Sequence, residues 1–189
     1  MRIIPLLASL ALMLGLTACV PSLHPLYTTE DLRYDPNLLG DWRETEGQER
    51  WQFQPVSLPT GHGAYKLIHT DCEGVKGEFD VRLIIVGGQR FLDFFPAEPE
   101  ARGNDFYQGH LQPVHTFAHL TQTQTELRLA YLKPEWLTEQ LKANPDALRH
   151  ERVNGEILLT AQPKELQRFL LLHLGWPGAF EEALVLTRQ

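Results

Sequence analysis

A chain of 189 residues, 43% hydrophobic and 22% charged, has the size and composition of one globular domain, neither disordered nor fibrous. Its formal net charge of −7 argues against nucleic acid or an anionic lipid surface as partner. Two cysteines, Cys19 and Cys72, are too few for a disulfide framework once the first is set aside for the role described next.

Met1 to Cys19 begins with the charged Arg2. An apolar run follows from Ile3 to Leu16, interrupted by Pro5, Ser9 and Gly15, and the stretch ends Leu16-Thr17-Ala18-Cys19. Charge, length and flanks are those of a secretory signal peptide. The run is shorter than the roughly 20 apolar residues of a membrane-spanning helix. Leu-small-small-Cys resembles the bacterial lipobox. That resemblance implies cleavage after Ala18 and a mature N-terminus at Cys19 carrying acyl chains such as palmitate. Each buried CH₂ contributes about 0.8 kcal/mol, so several chains hold a protein permanently. Val20 stands where an aspartate would signal inner-membrane retention, which implies the outer membrane and its periplasmic face. Cys72, between Asp71 and Glu73, reads as incidental.

The chain accordingly divides into a signal peptide (1–18), a lipidated N-terminus with an extended tether (19–39) and a β domain (40–189). Val20 to Asp35 carries Pro21 and Pro25 and no helical period, and it could dock as an extended segment. From Gly40 the pattern has period two, the mark of half-buried strands. Strands are predicted at Asp41–Thr45, Arg50–Pro55, Ala64–Thr70, Glu78–Val86, Gln89–Phe95, within Phe106–Thr121, and at Thr125–Leu132. Loops are predicted at 57–63 and 96–105. Gly87-Gly88 and Asn154-Gly155 are hairpin signals, since these residues accept φ > 0. Pro134 and Glu135 open a helix that Asn144-Pro145 ends, and Pro163 opens a second, with Leu166, Phe169, Leu170 and His173 on one side. The tail from Phe180 to Gln189 reads equally as a short helix or a docked strand.

So long a meander hides its edges most simply by closing. The expected fold is mainly β: an antiparallel meander closed or curled into a lipocalin-like barrel, with two short C-terminal helices. Gly40-Asp41-Trp42 resembles the Gly-x-Trp signature of lipocalins and the wider calycin barrels. The resemblance implies a tryptophan plugging the closed end beneath an arginine from a late strand, for which Arg149 and Arg152 are the candidates. The mature sequence also resembles a family of uncharacterised bacterial lipoproteins, in Leu23-His24-Pro25-Leu26-Tyr27, Phe91-Leu92-Asp93-Phe94-Phe95-Pro96, Pro113-Val114-His115-Thr116-Phe117 and Ala147-Leu148-Arg149-His150-Glu151. That resemblance implies no activity.

Catalytic signatures are sparse. His115 and His119 have the spacing of a zinc helix, but on a strand it separates them by about 13 Å. No metal and no cofactor are expected. Asp71, Glu73, Glu98, Glu100 and Asp105 read as solvated loop charge. Asp93 lies between Phe91 and Phe95 on one strand face and, if buried, demands a histidine or arginine partner. Ser22 and Ser57 lack a nucleophile-elbow setting, and no phosphate- or dinucleotide-binding glycine motif occurs. The sequence therefore points to a non-catalytic binding domain. Its partners are the membrane, through the anchor, and either a small apolar ligand or an envelope protein. For a ligand in the barrel mouth the candidate liners are Trp51, Phe53, Tyr65, Phe91, His115 and His119. The alternative is a structural or assembly accessory of the cell envelope.

Overall fold

The structure, a computed structural model, describes residues 19–56, 64–97 and 110–189. The leader, the loop at 57–63, Ser57, Glu98, Glu100 and Asp105 lie outside the described residues. Eleven strands and two α-helices are described: β1 (Leu32–Arg33), β2 (Gly40–Glu44), β3 (Arg50–Val56), β4 (Ala64–Thr70), β5 (Lys76–Val86), β6 (Gln89–Pro96), β7 (Thr116–Gln122), β8 (Glu126–Tyr131), α1 (Pro134–Ala143), β9 (His150–Val153), β10 (Glu156–Leu159), α2 (Pro163–His173) and β11 (Leu184–Arg188).

Strands β2 to β8 form an up-and-down meander, and β11 enters between β8 and β2. Pairing of β5 with β6 through Phe79↔Pro96 to Val86↔Gln89 closes the ring. The result is a closed eight-stranded antiparallel barrel with two helices, consistent with a lipocalin-like fold. The tail is a strand because Leu184, Leu186 and Arg188 alternate, placing them on the side occupied by the interior residues of β8 and β2. Every barrel strand is thus paired on both sides, so the barrel itself presents no open edge among the described residues.

One side of each strand fills the barrel. Trp42, Phe53, Leu67, Leu92, Leu129 and Leu186 belong to this inner core. The insertion between β8 and β11, made of α1, the β9–β10 hairpin and α2, covers the outer wall of β5–β7. There Ile84 and Phe91 pack with Leu137, Leu159, Leu166 and Phe169 in a second core. Asn154 (φ 54°) and Gly155 (φ 90°) supply the two left-handed residues of the hairpin turn. Pro163 begins α2, and the Glu165 carboxylate accepts the Gln162 backbone N–H at 2.9 Å, satisfying a donor at the helix start.

The segment preceding the barrel lies against it. Val20, Ser22 and Leu26 are buried. Ser22 exchanges backbone hydrogen bonds with His115 (2.9 and 2.8 Å), and Leu159 N–H donates to Pro21 O at 2.9 Å. Farther along, β1 pairs with Leu83 and Ile84 of β5, beyond the stretch that β4 occupies.

Candidate functional site

The barrel has one closed end and one open end. At the closed end Trp42 is 1% exposed, and its indole N–H donates to Leu38 O at 2.9 Å. The guanidinium lying over it, 4.1 Å from the ring centroid, is that of Arg188 on β11. Arg188 also donates to Leu39 O at 2.8 Å and to Asn37 O, fixing the turn before β2. Gly40 has φ +115°, and a Cβ there would lie 3.1 Å from Arg188 Nη1, so the glycine serves both the backbone and the arginine. This corrects the expectation of Arg149 or Arg152. Arg149 pairs with Glu165 on the outer layer, and Arg152 lies on the separate β9–β10 hairpin.

Phe53 and Tyr65 belong to this filled end. Tyr65 is fully buried, receives the Asp35 backbone N–H at 2.6 Å and stacks on Tyr34 at 5.2 Å. Burial is the main cause raising its phenol to a pKa of about 12. Asp35 is held by Arg90 at 2.7 Å.

At the other end a half-open cavity of about 1040 Å³ enters the barrel. Its apolar wall is Trp51, Leu67, Phe79, Phe94, Tyr131 and Leu184, the inward residues of the mouth-side strand ends. The rings form a continuous surface: Trp51 meets Phe94 edge-on at 6.0 Å, and Phe94 lies 6.4 Å from Tyr131. Burial pushes the Tyr131 phenol far up, which keeps it neutral. Trp51 also meets His69 edge-on at 4.9 Å, and His69 bonds Glu49 at 2.9 Å. Trp51 Nε1 is buried without a hydrogen-bond partner among the described residues. The rim is acidic: Glu44, Glu46, Glu49, Glu126, Glu181 and Glu182 all border the cavity, against Arg128. Cys19 stands on the same rim, exposed.

The six predicted liners do not converge. Trp51 lines the mouth, whereas Phe53 and Tyr65 lie deeper, in the filled end. Phe91, His115 and His119 are on the outer side of the wall, since Phe91 pairs with His119 and Asp93 with Phe117 on that side. Phe91 and His119 border a gap of about 10 Å³ between wall and helices, too small for a ligand. His119 bonds Gln89 at 3.1 Å, and burial lowers its pKa. Leu67, Phe79, Phe94, Tyr131 and Leu184, absent from the predicted set, follow from the same alternation once the inner side is known.

Asp93 is 1% exposed and finds the histidine its burial demands. Its Oδ1 lies 2.7 Å from His115 Nδ1, and its Oδ2 accepts the Leu26 backbone N–H at 2.8 Å. From the opposite side Gln167 on α2 donates to Leu26 O (2.8 Å) and to Asp31 (2.7 Å). The pair therefore clamps the N-terminal segment between wall and helix, with both carboxylate oxygens engaged. No group of three or more His, Cys, Asp or Glu suited to a metal occurs among the described residues.

Searches against protein-family models, curated proteins and solved structures return no match for this chain.

Proposed function

We propose that this chain is a bacterial lipoprotein held by Cys19 at the periplasmic face of the outer membrane. Its barrel binds a small, largely apolar ligand without chemical change. The observation carrying this reading is the mouth cavity. About 1040 Å³ is at the top of the range for ligand sites, roughly 300–1,000 Å³, and its aromatic wall matches their usual lining. The Asp93–His115 pair supports a non-catalytic reading, because it sits under the N-terminal segment and already holds structural partners.

Two measurements test the two halves. Cys19→Ser is expected to release the protein from the membrane fraction; a variant that still sediments with membranes refutes the anchor. Nile red, a neutral apolar fluorophore, is expected to bind the wild type and to lose at least tenfold in affinity in Leu184→Trp, which fills the mouth. Equal binding by a folded Leu184→Trp variant places the dye elsewhere and removes the cavity argument.

An assembly accessory acting through protein contacts is the second reading. Leu172 (63% exposed) and Trp176 (50% exposed), at and just beyond the C-terminal end of α2, favour it as a small apolar contact surface.

A further inference from the structure

The anchor and the mouth share one rim, and no slack chain separates the anchor from the fold. Cys19 borders the cavity, yet Val20 is already 8% exposed and part of the outer core. Pro21, Ser22 and Leu23 are fixed by backbone hydrogen bonds to Leu159 and His115, and Leu26 is held on both sides by Asp93 and Gln167. Consecutive Cα atoms are about 3.8 Å apart, so a lipid on Cys19 is one residue from a fixed point of the domain. A Gly/Ser linker samples distances of roughly 5–6 Å × √n and would leave orientation free. Here that freedom is missing.

We propose that the barrel mouth is held against the bilayer surface, so that the cavity exchanges its ligand with the membrane and the closed end points away. The inference rests on the lipid-anchor reading. The ligand is then a membrane-resident amphiphile whose apolar part enters between Trp51, Phe94 and Tyr131. The glutamate rim repels anionic headgroups and accepts zwitterionic or cationic ones.

Two exposed turns at opposite ends serve as reporters: Glu46 on the cavity rim and Gln124 between β7 and β8 near the Arg188 end. At about 3.3 Å per residue they are roughly 20 Å apart. The acylated protein, made with its own leader, would carry Cys72→Ser with either Glu46→Cys or Gln124→Cys, labelled with a fluorophore. It would be inserted in phosphatidylcholine vesicles containing a headgroup nitroxide. Quenching is expected to be at least threefold stronger at position 46 than at 124. A flexible Gly/Ser insert between Cys19 and Val20 is expected to abolish that difference. Protein that binds the vesicles with equal or reversed quenching overturns the orientation and leaves the anchor intact. Persistence of the difference with the insert overturns the short-arm cause. Failure of the acylated protein to float with the vesicles overturns the anchor and the orientation together.

Discussion

The two ends of the barrel are built from the same strands and the same alternation, yet one is filled and the other open. At the closed end Trp42, Phe53 and Tyr65 occupy the axis, and Arg188 seals them against the turn at Asn37–Leu39. At the mouth Trp51 of β3 and Phe94 of β6 meet across the interior, but a cavity stays open beside them, and glutamates take the place of the sealing arginine. A barrel of eight strands is just wide enough for side chains to fill or for one small ligand to enter. The difference lies in how far side chains fill the interior, and the β architecture is the same throughout.

Truncating one phenylalanine at each end sets the ends against each other most sharply. Phe53 is 2% exposed, and Phe53→Ala is expected to destabilise by about 3–5 kcal/mol, since the filled end cannot collapse around the void. Phe79 is half-buried on the cavity wall, and Phe79→Ala is expected to lose only about 1–2 kcal/mol, with weaker Nile red binding. Chemical denaturation reads both. Equal losses would mean that the mouth is packed like the floor.

Asp93→Ala addresses the outer side of the same wall. It leaves the buried Leu26 N–H and the His115 ring without their acceptor, an expected loss of about 2–4 kcal/mol. The N-terminal segment should loosen first, giving faster proteolysis near residues 20–31, while the inner core stays protected in hydrogen exchange. A uniform loss across the barrel would show that the segment is no separate layer.

The seal at the closed end comes next in size. Arg188→Met removes the cation over Trp42 and three contacts to backbone carbonyls, those of Asn37, Leu39 and Gln124, for which about 1–2 kcal/mol is expected. Gly40→Ala should cost a similar amount, because it adds left-handed strain and crowds Arg188. The double variant tests whether they act together. If the strain of Gly40→Ala is mainly contact with Arg188, its effect shrinks in the Arg188→Met background.

Much of this architecture is legible in the sequence. Trp51 with Phe53, Tyr65 with Leu67, and Leu127 with Leu129 each mark one side of a strand, and Pro134 and Pro163 mark the helix starts. What alternation cannot say is which side faces inward when both are apolar. Strand β6 shows the difficulty: Phe91, Leu92, Asp93 and Phe94 are all buried, because helices cover the outer wall. Phe91, His115 and His119 share the alternation expected of liners, yet Phe91 packs in the second core, His119 lies beside it and His115 is held by Asp93. The role of Arg188 is hidden in the sequence for another reason. Its partner Trp42 is 146 positions earlier in the chain, and only a strand reading of the tail aligns it with Leu184 and Leu186. The lipidation expected at Cys19 depends on a leader outside the described residues, so it stands on the sequence.

The smallest expected effect concerns acid, and it separates the docked N-terminal segment from both ends of the barrel. Burial pushes the Asp31 carboxyl upward, but the Thr28 hydroxyl and N–H, the Gln167 amide and Lys164 outweigh it and hold the pKa at about 2, below the ordinary 3.8. A carboxylate depressed on folding contributes stability that is fully present above its unfolded pKa. That contribution fades as the pH falls from about 4 towards 2. Stability below pH 4 should therefore drop less steeply in Asp31→Asn than in the wild type, from a lower plateau at neutral pH. The wild-type loss should appear first as exposure of the segment that Gln167 and Asp93 clamp. If the acid limb is unchanged in Asp31→Asn, these hydrogen bonds are equally available in the unfolded chain, and α2 holds the segment through apolar packing and Gln167 alone.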